Sequence, residues 1–179
     1  MSDGVQQAIL GGGCFWCLEA VYQQVKGVER VVSGYAGGHV PNPDYETVCA
    51  ETTGHAEVVQ LQFDPRIVSY RQILEIFFVI HDPTTLNYQG NDVGARYRSV
   101  IFTLDDEQMH VAKELVSELS QGKHFSRPLV TEIKVAPTFY PAEDYHQNYF
   151  QTHPFQGYCM AVVGPKVSKF KKTFQMLIR

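Results

Sequence analysis

Little in this 179-residue sequence points to a membrane, a nucleic acid or a disulfide scaffold. The longest apolar stretch, Ile73 to Ile80, is interrupted by Glu75. It is far shorter than the roughly 20 apolar residues that cross a bilayer. A net charge of −4 argues against a broad electrostatic footprint for nucleic acid or anionic lipid. The first ten residues carry no basic stretch followed by an apolar one, so no signal peptide is expected and the expected compartment is the cytoplasm. Four cysteines, Cys14, Cys17, Cys49 and Cys159, would make an unusual disulfide framework for this length, and a reducing compartment would not sustain one. That leaves buried thiols, a metal site or redox chemistry. Cys14-x-x-Cys17 has no second Cys-x-x-Cys to complete a zinc site, so neither metal nor cofactor is expected.

What is present is an ordinary globular balance, 44% hydrophobic and 19% charged, in a length that suits one core. No repeat or linker divides the chain, and residues 1–179 are expected to form a single domain. Val5 to Leu10 reads as a strand ending in Gly11-Gly12-Gly13. Apolar residues at Phe15, Leu18, Val21, Tyr22 and Val25 predict a helix to Val25, stopped by Gly27. Extended patterns follow at Val28 to Tyr35 and Val58 to Phe63, around a loop with one helical turn near Tyr45. Ser69 is placed to cap a helix running to about His81. A loop from Asp82 to Arg96 leads to a strand at Ser99 to Leu104. From Asp105 an amphipathic helix carries Met109, Ala112, Leu115, Val116 and Leu119 on one side, and Gly122 ends it. Leu129 to Val135 alternates like a strand. Interleaved strands and helices predict an α/β or α+β class, a sheet with helices packed on it. The long loops around Tyr45 and Asp92 are the places to look for function.

Cys14 follows three glycines at a helix start, where the partial positive charge and free N–H groups stabilise a thiolate. A cysteine so placed is a candidate nucleophile with a lowered pKa. A small buried residue at a strand-to-helix turn fits the same local pattern. Phe15 and Trp16, the only tryptophan, are either core or the wall of a pocket for a small apolar group. Glu57, before an apolar strand, is either a solvated edge carboxylate or, if buried beside the site, an acid at neutral pH. Asp92 and Tyr97 put a carboxylate and a phenol on one loop.

Gly13-Cys14-Phe15-Trp16-Cys17-Leu18-Glu19 resembles the signature of the A-type peptide methionine sulfoxide reductases. Val32 to Gly38, Tyr45 to Cys49, Gly54 to Val58, His81 to Asn87, Gln89 to Gly94, Tyr97 to Ser99 and Phe139 to Gln147 resemble the same family's later segments, in order. The resemblance implies an α+β fold, a two-layer sandwich with a ferredoxin-like core. It implies reduction of free or peptide-bound methionine S-sulfoxide, with protein repair as the role. By matched position, Cys14 attacks the sulfoxide sulfur and becomes a sulfenic acid, and Glu57 protonates the oxygen. Tyr45 and Tyr97 hydrogen-bond that oxygen, Asp92 positions substrate through water, and Phe15 and Trp16 hold the S-methyl group. Thioredoxin is the expected reductant and a monomer the expected state.

Some positions depart from the family pattern. Cys17 stands where Gly is frequent, and Tyr88 and Arg96 are unusual. The last two are expected to touch no assigned role and to shape only the rim met by a protein substrate. The family's Gly-rich C-terminal segment with resolving cysteines has no match. Cys159 is the first candidate to resolve the sulfenic acid and Cys17 the second, with Cys49 a buried spectator. A thiol–disulfide oxidoreductase using Cys14 and Cys17 alone is the rival reading; it would not need Glu57, Tyr45 or Tyr97.

Overall fold

The structure, a computed structural model, describes residues 4–179. In chain order the first half holds β1 (Gln6–Gly11), α1 (Phe15–Tyr22), β2 (Val28–Ala36), α2 (Tyr45–Cys49), β3 (Ala56–Phe63) and α3 (Tyr70–Ile80). The second half holds β4 (Tyr88–Gln89), β5 (Asp92–Val93), β6 (Val100–Thr103), α4 (Asp106–Gln121), β7 (Glu132–Val135), β8 (Tyr140–Pro141), α5 (Tyr149–Thr152) and α6 (Gly164–Thr173). Six strands form one sheet in the order β7-β6-β1-β3-β2-β8, and β4 and β5 make a separate hairpin. Within the large sheet only the β6–β7 pair is parallel.

The two-residue period of the strands sorts side chains onto two faces. On one face Ala8 and Leu10 of β1, Val59, Leu61 and Phe63 of β3 and Ile101 of β6 join the core that α1, α3, α4 and α6 cover. On the other, Ile9, Ala56, Val58, Val100 and Phe102 form a thinner cluster with Ala36, closed by Ala136 and Phe139 from connecting segments. The result is a two-layer α+β arrangement with a mixed sheet, as the family resemblance implies. Glu57 belongs to the same row of β3 as Val59, and its Cα partner across the ladder is Tyr35. Sheet geometry alone therefore turns that carboxylate towards α1.

Side-chain caps open α3 and α4. Ser69 accepts from the Gln72 N–H while the Gln72 side chain accepts from the Ser69 N–H, a reciprocal box that opens α3. Asp105 accepts from the Gln108 N–H at the start of α4. Helix α1 stops at Tyr22 rather than at Val25. The backbone beyond it pairs with the C-terminal residues instead: Val25 bridges Ile178, Lys26 N–H donates to the Leu177 carbonyl and Arg179 N–H to that of Gln24. The strand expected from Leu129 is only Glu132–Val135, because the Val130 N–H turns away to the Pro83 carbonyl.

The edge strand β8 leans on a glycine. A Cβ at Gly34 would stand 2.5 Å from both Phe139 Cζ and the Tyr140 carbonyl oxygen. Gly34→Ala is therefore expected to cost about 1–3 kcal/mol by forcing β8 off the sheet edge. Urea unfolding checks this, and an unchanged midpoint would show that the edge accommodates the methyl group.

Candidate active site

The site begins where β1 ends. Gly13 has φ +88, a conformation open to glycine at little cost, and it turns the chain from the strand into α1. Cys14 is the N-cap of α1 and makes no side-chain cap bond. The next N–H, that of Phe15, donates to Glu57 Oε1 at 3.1 Å. Glu57 is 1% exposed. Burial pushes its carboxyl up to about 8, against the Phe15 N–H and the Arg96 guanidinium, which favour the charged form. Of the two placements considered for Glu57, the fold shows the buried one and not a solvated strand edge.

A cavity of about 220 Å³ opens beside this contact, lined by Cys14, Phe15, Trp16, Tyr45, Glu57, Asp92, Tyr97 and Tyr158. The first seven are the residues singled out from sequence, and they reach the cavity from the starts of α1 and α2, from β3 and β5, and from the single turn before β6. Tyr158 was missed: its segment, Gly157-Tyr158-Cys159, was read only for its thiol. The Tyr158 hydroxyl donates to Asp92 Oδ2 and lies 3.9 Å from Cys17 Sγ. Trp16 stacks on Tyr149 with centroids 3.7 Å apart, and its indole N–H donates to His146 Nδ1 at 3.1 Å. Phe15 packs between the rings of Tyr35 and His146. Tyr45 is held through its N–H, which donates to Glu143 Oε2 at 2.8 Å. The other oxygen of Glu143 accepts from the Tyr35 hydroxyl. Sequence gave no local sign of His146 or Glu143 beyond the Phe139 to Gln147 segment that contains both.

Three expectations need correcting. The Cys14 thiol is not lowered but raised well above its ordinary range. Burial is the main cause, and charge on Glu57 or Cys17 would push it further, whereas the Trp16 N–H and the Tyr158 hydroxyl act the other way. The helix start does supply N–H groups, but the Phe15 N–H is spent on Glu57. Arg96 does touch an assigned residue: its guanidinium lies 4.5 Å over the Tyr97 ring and pairs with Glu51. Cys49 is half-buried rather than buried, at the end of α2 within reach of the Tyr45 hydroxyl.

All four thiols are free. Cys17 is fully buried beneath Tyr158, and burial raises its thiol. Cys159 is also fully buried; both thiols belong to the core, and neither is among the residues lining the cavity. Its N–H is fixed by Gln156 Oε1 at 3.0 Å.

The family model "Peptide methionine sulfoxide reductase" matches residues 6–177. The chain belongs to the peptide methionine sulfoxide reductase family. A relative named peptide methionine sulfoxide reductase MsrA, from Polynucleobacter asymbioticus, is 66% identical over 97% of this chain and 92% of its own length. One of the same name from Leptospira borgpetersenii is 59% identical over 94% of this chain and 95% of its own. Among solved structures, reduced Mxr1 from Saccharomyces cerevisiae is similar in fold, with a TM-score of 0.78 and 32% identity over 89% of this chain and 91% of that one. Family membership accounts for the cavity's contents as a set, which neither a zinc module nor a bare dithiol does.

Because Trp16 is the only tryptophan, its emission, excited selectively over the ten tyrosines, reports on this cavity. His146→Leu removes the acceptor of the indole N–H, so a shifted emission maximum and a lower melting temperature are expected, on the scale of one lost hydrogen bond, about 1 kcal/mol. An emission spectrum identical to that of the wild type would mean that His146 does not orient Trp16.

Proposed function

We propose that the chain reduces methionine S-sulfoxide, free and in peptides, to methionine, with Cys14 as nucleophile and Glu57 as proton donor. The observation that carries this reading is one small cavity holding a thiol, a carboxyl kept protonated near neutral pH, phenols and an apolar wall. A sulfoxide oxygen leaves sulfur only if it gains protons as the thiol attacks. Glu57 supplies the first proton to that oxygen as Cys14 Sγ bonds to the sulfur. The thiol proton returns to the Glu57 carboxylate, and the hydroxyl passes to Cys14 as the S–S bond to substrate breaks. The products are methionine and a Cys14 sulfenic acid, so two electrons and one oxygen have moved between the two sulfurs. Tyr45 and Tyr97 stabilise the charge developing on oxygen, Asp92 positions the substrate and Phe15 and Trp16 hold its methyl group. With oxygen and methyl fixed on different walls, only one epimer can present its sulfur to Cys14, and the family makes that the S-epimer.

For the second half of the cycle we favour Cys17 over Cys159, reversing the order expected from sequence. Both thiols are fully buried in the same core, but the Cys17 sulfur lies 3.9 Å from the Tyr158 hydroxyl and close enough to Cys14 for its charge to act there, whereas Cys159 has no such link to Cys14. Attack of Cys17 on the sulfenic sulfur forms a disulfide and releases water, and a thioredoxin-type dithiol then reduces it. Mxr1, the yeast protein of similar fold, has been solved in complex with Trx2. No helix among the described residues is long and apolar enough to cross a membrane. The proposed setting is the cytoplasm, with the chain acting as one monomeric domain. The rival thiol–disulfide exchange activity leaves Glu57, Tyr45 and Tyr97 without a purpose.

Cys14→Ser is expected to abolish sulfoxide reduction with the fold intact. Glu57→Gln should slow the first step roughly 10²–10⁴-fold. The pH profile of that step has a definite sign. The carboxyl is raised to about 8, so the wild-type rate falls as pH climbs past about 8, the apparent pKa belonging to the Glu57–Cys14 pair. Single-turnover kinetics that retain the alkaline fall in Glu57→Gln would remove Glu57 from this role. For resolution, peptide mapping after one turnover should show Cys14 joined to Cys17. Cys17→Ser should lose thioredoxin-supported cycling while Cys159→Ser keeps it, and the opposite result would restore Cys159.

A further inference from the structure

A second, larger cavity of about 1190 Å³ adjoins the first, and Asp92 and Tyr158 line both. One wall is α6, whose Lys166 and Lys169 face the cavity; the other includes His124 and Arg127 from the segment after α4. Helix α6 carries four lysines and no acidic residue, in a chain whose net charge is −4. Lys166 and Lys169 are three apart and so neighbours on one helix face. Among the described residues, neither takes part in an ion pair. The two carboxylates in the cavity are already engaged: Asp82 faces Arg127 at 3.5 Å, and Asp92 accepts from the Tyr158 hydroxyl. Lys166 marks the junction of the two cavities, its Nζ 3.8 Å from where a Cβ on Gly13 would stand, one residue before Cys14.

We propose that this groove is a peptide-docking site that selects oxidised methionines flanked by acidic residues. The inference deepens the reductase reading and rests on it. With the sulfoxide side chain in the small cavity, the substrate backbone passes over Asp92 and Tyr158 and continues along the groove. An extended chain advances about 3.3 Å per residue, so carboxylates within about three residues of the sulfoxide come alongside Lys166 and Lys169. These cations are partly solvated, so they act on encounter rate and selectivity and are sensitive to salt.

The test measures methionine formation in a single turnover, with enzyme in excess and no reductant, so that reductant docking plays no part. Three blocked peptides carry the S-sulfoxide flanked by aspartates, asparagines or lysines, and dimethyl sulfoxide serves as the uncharged control. At low salt the wild type should consume the aspartate peptide about three- to tenfold faster than the asparagine peptide, and the lysine peptide more slowly still. In about 0.5 M salt the difference should collapse. Lys166→Gln/Lys169→Gln should bring the preference below about twofold while leaving the dimethyl sulfoxide rate unchanged. Equal rates for the three peptides in the wild type would overturn the proposal, as would a preference that survives in the double variant. A double variant altered only in thioredoxin-supported cycling would assign the groove to the reductant and overturn it too. A wild type that consumes none of these substrates, dimethyl sulfoxide included, would overturn the reductase reading itself.

Discussion

The site depends on one contact, the Phe15 N–H donating to the buried carboxyl of Glu57. Helix α1 begins directly over the start of β3, and the strand's alternation sends Glu57 into the helix-covered face with Val59. A carboxylate so deep would be costly, and the protein lowers that cost by keeping it protonated. One N–H bond orients the group without stabilising its charge enough to restore an ordinary pKa. Cys14, at the cap of the same helix, shares this low-dielectric corner, so charge on Glu57 would raise the thiol further. Before substrate arrives the pair holds two protons. That is the form a sulfoxide needs, since its oxygen must be protonated while a thiol is consumed.

A second constraint is the segment from β8 to Tyr158, which is laid over the cavity by polar contacts rather than by regular structure. Gln147 inserts its side chain against Ser33, accepting from its N–H and donating to its carbonyl, as a strand neighbour would. Glu143 fixes Tyr35 and Tyr45 together. Glu19, buried in α1, accepts from the N–H groups of Asn148 and Tyr149 and so sets the ring that stacks on Trp16. The apolar wall of the cavity is thus held by the fully buried Glu19 carboxylate and by the half-buried Glu143 and Gln147 side chains.

Much of this was legible in the sequence, for identifiable reasons. The strands and α3 and α4 follow from periodicity and from the caps Ser69 and Asp105, which are local signals. The cavity residues are scattered from Cys14 to Tyr97, and only the ordered run of family segments placed them together. Local physics gave the wrong sign for the Cys14 thiol because helix-start stabilisation is visible in sequence while burial is not. Tyr158 and the roles of His146 and Glu143 depend on a long return of the chain with no period to read. The early end of α1 likewise required knowing that the C-terminus pairs with residues 24–26.

The proposed groove extends the same logic to longer substrates: in this reading the buried pair supplies the chemistry, and partly solvated cations on α6 select what reaches it. The central claim is that Cys14 itself takes the oxidising equivalent from one epimer of the sulfoxide. Its most direct test is mass spectrometry of the Cys17→Ser protein after a single turnover on racemic sulfoxide, with dimedone present to trap sulfenic acid. One methionine per protein, one dimedone adduct on Cys14 and an untouched R-epimer are the expected result. Methionine formed without modification of Cys14, or equal loss of both epimers, would contradict the account.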